Sequence, residues 1–375
     1  MINRERLLQT FLQLVQVDSE TKHEGKIAPF LKERFAALDC EIQEDNAMEL
    51  TGHGANNLVI TLPSNYQGAE KIYFTSHMDT VKPGVNIKPV VHEDGLITSS
   101  GDTILGADDK AGLAVMLEIL QIIQEQKLPH GQIQFVITVG EESGLAGAKV
   151  LDPQLLDAKY GFALDSNGKI GDLIVAAPYQ VRIWITVKGK SAHAGVNPED
   201  GISAIQVASK AISKMPLGRI DFETTANIGQ FHGGEATNVV CDQVSILAEA
   251  RSIDKKKVEK QVQAMKEAFV QTAEEHGATV DFQAQLMYPG FRYTEQDLVV
   301  QRAKAAVKAM GKEPVLKASG GGSDANIIAS YGIPTINLAV GYEQIHTTNE
   351  RIHMDRLVET AQLALQLIQV ALPNR

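Results

Sequence analysis

Short apolar runs alternate with longer amphipathic stretches through the first half of the chain. Ile72–Ser76 (IYFTS) is β-prone and stops at His77. Lys110–Gln126 (KAGLAVMLEILQIIQEQ) carries apolar residues at helical spacing and starts directly after Asp108 and Asp109. Ile133–Val139 (IQFVITV) reads as a strand running into Gly140, Glu141 and Glu142, and Tyr160–Leu164 (YGFAL) as a third that ends at Asp165. This alternation predicts an α/β layer around a largely parallel sheet. In open sheets of this kind ligands bind beyond the carboxyl ends of the strands. The polar clusters that follow these strands or precede the helix are therefore placed to converge.

From about Pro178 the rhythm changes. Val181–Val187 reads as a strand, Gly201–Met215 as a helix, and residues 226–231 and 243–250 as two further strands. Lys255–His276 is a long charged helix, followed by a strand at Thr279–Met287. The order β-α-β-β-α-β is that of a ferredoxin-like unit. The expected organisation is a catalytic domain of residues 1–178 and 288–375, with 179–287 inserted as a small α+β domain. Residues 311–334 resume glycine-rich α/β character, and Met354–Val370 is a closing helix.

Composition narrows the class. Of 375 residues, 44% are apolar, enough for a sizeable core. The formal charge of −11 argues against a nucleic-acid partner, whose phosphates require a basic face. The N-terminal stretch is amphipathic and carries charges throughout, unlike a signal peptide, and no apolar run approaches a membrane span. Cys40 and Cys241 stand far apart and read as small buried residues rather than a disulfide framework, which fits a reducing cytoplasm.

Each polar cluster is ordinary by itself. In His77-Met78-Asp79 the first and third residues share a strand face, so Asp79 can orient the imidazole. Asp108-Asp109 could be a helix cap and a first-turn acid, a reading that suits Asp109 and leaves Asp108 free. In Glu141-Glu142 adjacent side chains point apart, so one can ligate a metal while the other acts as a base. Asp165 adds another strand-end carboxylate and His346 a late imidazole. Together they place five carboxylates in one cleft. Each like-charge pair about 4 Å apart costs about 4 kcal/mol at an effective dielectric of about 20. Two divalent cations would offset that repulsion, with three ligating carboxylates and one hydroxide balancing their charge.

The segments SHMDTV, GADDKAG, GEESGLAG, ALDSNG, SAHAG and EQIHTTNE occur in the order found in metallopeptidase family 20, over nearly the whole chain. They most resemble its peptidase T (tripeptidase) branch. The resemblance implies a mixed-sheet zinc-exopeptidase-like fold with a ferredoxin-like lid or dimerisation domain. It also implies two divalent ions, zinc first and cobalt or manganese as alternatives. By it His77, Asp108 and Asp165 are ligands, with Asp108 bridging both ions, and Glu142 and His346 complete the two sites. Glu141 is the general base and Asp79 the partner of His77. A cis peptide after the bridging aspartate is implied as well. His193 would stabilise the oxyanion, while Asn238 and Arg251 would contact a short peptide substrate. Arg251 by its residue type could clamp a carboxylate. Ser319–Asp324 matches the family's glycine-rich substrate loop and lacks the Lys-Ser/Thr ending of a phosphate loop. His23, His92, His130, His232, His276 and His353 have no ligand-like context. An N-acyl amino acid deacylase would share every metal residue, and a non-catalytic metal-binding protein would have no need of Glu141. A homodimer through the inserted domain is a further expectation of the family.

Overall fold

The computed structural model describes residues 2–373. Two compact units emerge: one comprises the chain up to Ala176, Tyr293–Ala318 and Ser323 onward, the other Ala177–Arg292 with Ser319–Gly322.

The larger unit is built on one mixed sheet. Its strands run in the order Glu41–Glu44, Leu58–Leu62, Ile133–Thr138, Ile72–His77, Tyr160–Ser166, Thr335–Ala339 and Asp172–Ala177. The middle four are mutually parallel, and the flanking strands Leu58–Leu62 and Asp172–Ala177 join them antiparallel. Ile72–His77 and Ile133–Thr138 are buried at every position, which is why they read as continuous apolar runs rather than alternating ones.

The helix Ala107–Gln126 packs against Ile72–His77 and is buried along nearly its whole length. A helix apolar all round belongs inside a domain. The N-terminal helix Arg4–Val15 covers it with Leu7, Phe11 and Leu14. One charge falls within that interface. Glu118 is buried, and it accepts from Arg6 Nε at 2.6 Å and from the Asn3 amide at 2.9 Å. The closing helix Met354–Val370 packs on the same central helix.

The smaller unit is an antiparallel sheet backed by two helices. Apart from a two-residue edge strand, its order is Thr224–Gly233, Gln243–Ser252, Tyr179–Lys188 and Thr279–Tyr288, with helices Ala204–Ser213 and Lys255–Glu275. Numbered along the chain these strands lie 2-3-1-4, the ferredoxin-like arrangement. Val181, Ile183, Ile185 and Val187 pack inward on the helices, with polar or exposed residues alternating between them. No helix among the described residues is long and apolar enough to cross a membrane.

Candidate metal centre

The parallel register brings the strand-end residues to one level. His77 stands opposite Thr138, and Thr75 opposite Ala163, so Asp165, two residues beyond Ala163, lies level with His77. The third contribution comes from the start of the central helix. Asp108 (φ −83°, ψ 101°) and Asp109 (φ −122°, ψ 38°) are non-helical, so regular helix begins only after them. The Asp108–Asp109 peptide bond is cis.

Asp108 presents one carboxylate oxygen to each of two imidazoles. Its Oδ1 lies 3.1 Å from His77 Nε2, and its Oδ2 3.3 Å from His346 Nε2. His346 Nε2 also meets Glu142 Oε1 at 2.9 Å, and Asp165 Oδ1 stands 3.9 Å from His77 Nε2. All five residues expected as ligands thus face one centre in the larger unit. Asp109 behaves as a helix-start acid, accepting from the Ser76 hydroxyl and from the Gly112 amide at 3.3 Å.

Asp79 does more than face His77. Its backbone carbonyl is 3.0 Å from His77 Nδ1, closer than its carboxylate at 3.4 Å. The carboxylate accepts from the amides of Glu141 (3.0 Å) and Glu142 (3.4 Å) and from the Thr21 hydroxyl (2.7 Å). It therefore fixes the turn that carries both glutamates. Gly140 in that turn has φ +60°, and a Cβ there would fall 2.2 Å from His53 Nε2. That imidazole nitrogen also meets Ser143 Oγ at 2.9 Å. Only glycine fits at this position.

Several partners were not visible in sequence. Tyr342 donates its hydroxyl to Asp165 Oδ1 at 2.9 Å, and Asn337 brackets the Asp165 backbone, accepting from its amide at 3.0 Å. Glu350, buried, accepts from the Gly106 amide at 2.7 Å and the Asp108 amide at 2.9 Å. Asp324, also buried, accepts from the Thr138 hydroxyl. These residues lie far along the chain from what they hold, and the EQIHTTNE segment ending at Glu350 is the one local signal.

The electrostatics are those of crowded acids. Burial, then repulsion from Asp165, pushes Glu141 well above the usual carboxylate range, and burial reinforced by Asp108 and Asp109 does the same to Asp165. Hydrogen bonds to Asp108 and Glu142 push His346 up to about 10. Burial opposes charging of His77, but its contacts with Asp108 and Asp79 hold its pKa well above the ordinary value. Cations bound among these acids would offset their mutual repulsion.

Two sets of side chains bring ligand atoms within 4.8 Å of one another: His77, Asp108 and Glu142, and His77, Asp109 and Asp165. In the second set Asp109 is already held by Ser76 and Gly112, whereas the Asp108 carboxylate meets the two imidazoles. Imidazole and carboxylate donors in this number fit a pair of divalent cations.

Residues 73–370 match peptidase family M20/M25/M40. The chain belongs to this family. It is accordingly a metal-dependent hydrolase of the peptidase type. Among solved M20 relatives, the aminopeptidase PepT of Bacillus cereus ATCC 10987 is 57% identical, with a TM-score of 0.95 over 99% of each chain. A tripeptidase of Staphylococcus aureus subsp. aureus Mu50 is 52% identical, with a TM-score of 0.97 over 99% of each chain. YqjE of Bacillus subtilis (strain 168) is 57% identical over 371 residues, 99% of this chain and all of that one.

The residues expected to meet substrate lie in the smaller unit. The Ala194 amide donates to the Asn238 carbonyl at 2.9 Å and the Val240 amide to the Ala192 carbonyl at 2.9 Å. These bonds hold the loops of His193 and Asn238 side by side, with both residues exposed. Arg251 has partners within the smaller unit. Its fork closes on Glu249 at 2.8 and 3.0 Å, and Nη1 reaches Tyr288 Oη and the Gly320 carbonyl, each at 3.3 Å. Its bidentate carboxylate partner in the structure is therefore Glu249.

Proposed function

We propose that this M20 enzyme removes the N-terminal residue from short peptides, tripeptides foremost, using two divalent cations. The observation that carries the reading is Asp108, which offers one oxygen toward each of two imidazoles that have separate carboxylate neighbours. In this assignment His77 and Asp165 would hold one ion, Glu142 and His346 the other, and Asp108 would serve both. Zinc suits mixed imidazole and carboxylate donors, and cobalt or manganese can occupy the same set. The PepT and tripeptidase relatives support the choice of substrate.

Bound there, the ions would supply Lewis acidity and would lower the pKa of a water toward neutrality. Glu141 is the base. Its neighbour Glu142 is tied to His346, while Asp79 fixes the amides of both glutamates. Glu141 takes a proton from the attacking water and returns it to the leaving nitrogen as the C–N bond breaks. Asp79 keeps the His77 ring in place from its Nδ1 side. His193 is assigned to the carbonyl oxygen that gains negative charge, and Asn238 and the Nη1 edge of Arg251 to the rest of the substrate. The smaller unit is also assigned a homodimer contact. With both cysteines unpaired, the cytoplasm is the fitting compartment.

The test is a panel of tripeptides, dipeptides and N-acetyl amino acids, with released amino acids quantified. Release of the first residue from tripeptides is expected at the highest kcat/KM. Hydrolysis of N-acetyl amino acids in preference to every peptide would overturn the substrate assignment in favour of a deacylase.

A further inference from the structure

Regular helix begins after Asp109, which itself accepts from the first-turn Gly112 amide. The turn before it, Gly106 (φ +75°) to Asp108, lies outside the helical hydrogen-bond ladder, and buried amides there need acceptors of their own. The acceptor comes from Glu350, 242 positions away from Asp108, which places one oxygen on the Gly106 amide and the other on the Asp108 amide. The residue is 1% exposed.

The choice of a carboxylate is electrostatically costly. Glu350 sits behind Asp108, itself an acid, and the two repel. A neutral oxygen would satisfy the same amides without that repulsion. Backbone amides and the buried Lys110 offset part of that repulsion, and positive charge in front of Asp108 would offset more. The position of Glu350 along the chain is equally specific. It closes the loop that carries His346: its amide donates to the Thr347 carbonyl at 3.1 Å, and the Thr347 hydroxyl to the Gln344 carbonyl at 2.7 Å. Gln344 (φ 53°) and His346 (φ 62°) take left-handed conformations in that loop. One side chain thus ties the turn bearing Asp108 to the loop bearing His346.

We infer that Glu350 is a positioning residue for the metal pair, holding the shared carboxylate of Asp108 and the imidazole of His346 in register so that both ions are retained. The inference rests on the reading of Asp108 as the shared ligand. Glu350 touches no substrate and takes no part in proton transfer. Its loss acts on cation affinity, in the range of about 10–100-fold typical of residues that orient metal ligands.

Three variants decide it: Glu350→Ala, Glu350→Gln and, as a control on the centre itself, Asp108→Ala. Zinc affinity is measured on the purified full chain by competition with a chromophoric chelator, and the thermal midpoint is measured on the metal-free proteins. Glu350→Ala is expected to keep a cooperative metal-free transition close to wild type while zinc affinity falls about tenfold or more. Glu350→Gln keeps one acceptor oxygen and is expected to fall between the two. Wild-type zinc affinity in Glu350→Ala, with binding lost in Asp108→Ala, would overturn this inference alone. Unchanged binding in both would overturn the reading of the centre and this inference with it. Should Glu350→Ala fail to fold, Glu350→Gln decides, and wild-type zinc affinity there would overturn the role.

Discussion

In the proposed mechanism two adjacent glutamates divide the work at residue scale, and their surroundings differ accordingly. The Glu142 carboxylate is engaged by His346 at 2.9 Å, whereas Glu141 is pushed well above the usual range by burial and by Asp165. A carboxylate whose proton affinity is raised is suited to accept a proton, and bound cations would bring it back toward a working range. Glu141→Gln keeps the size and removes the basicity. Turnover of a tripeptide is expected to fall by about 10²–10⁴-fold while metal content per chain stays at the wild-type value. Wild-type turnover with metal bound would assign the base elsewhere. The cluster was legible in sequence because His77, Glu141, Glu142 and Asp165 follow strand-like runs and Asp108 precedes a helical one, whereas the roles of its members and the place of His346 were expected from family resemblance. The groups that hold them were not. Glu350, Tyr342 and Asp324 hold groups that are 150 or more positions away along the chain, and apart from the EQIHTTNE segment that ends at Glu350 local pattern carries no trace of such pairings. Arg251 shows what residue type leaves open. Its residue type suggests a substrate clamp, and only the structure supplies Glu249 as the carboxylate it grips.

Elements were readable where burial is uniform. Ile133–Thr138 and the body of the central helix follow directly from apolar runs, and Met354–Val370 coincides with its predicted span. Ends were less so: the first strand of the smaller unit begins at Tyr179, two residues before its apolar pattern, because pairing with Ser252 continues past the core. Pairing between elements also depends on single polar residues. Glu70 joins the strand Tyr160–Ser166 to the helix Leu298–Ala309, accepting from Tyr160 Oη at 2.6 Å, Arg302 Nε at 2.9 Å and Lys159 Nζ at 2.9 Å. Burial pushes its pKa upward, but the bonds from Arg302, Tyr160 and Lys159 outweigh that and hold it below the ordinary value. The sign follows: the folded state binds this proton less readily than the unfolded chain, so the contribution is present above the unfolded pKa and lost as pH falls through the folded one. Glu70→Gln is expected to cost about 1 kcal/mol at pH 7, after allowance for solvent screening. The gap from wild type should close as unfolding is measured from pH 5 down to pH 3. A gap that is constant across that interval would show that the carboxylate's charge is not what stabilises the junction.

The balance of charge belongs to the whole molecule. A net −11 is compatible with a folded chain, yet part of it is gathered where burial makes repulsion costly. His77, Asp108, Glu142, Asp165 and His346 come from five separate stretches of sequence, and the fold brings them to one place. In the proposed reading a pair of divalent cations among them would make that arrangement favourable. The direct measurement combines metal analysis with tripeptide hydrolysis on the same preparation, before chelation, after chelation and after zinc is restored. Two divalent ions per chain, loss of turnover on their removal and recovery on re-addition are expected. Full turnover from protein holding no divalent metal would contradict it.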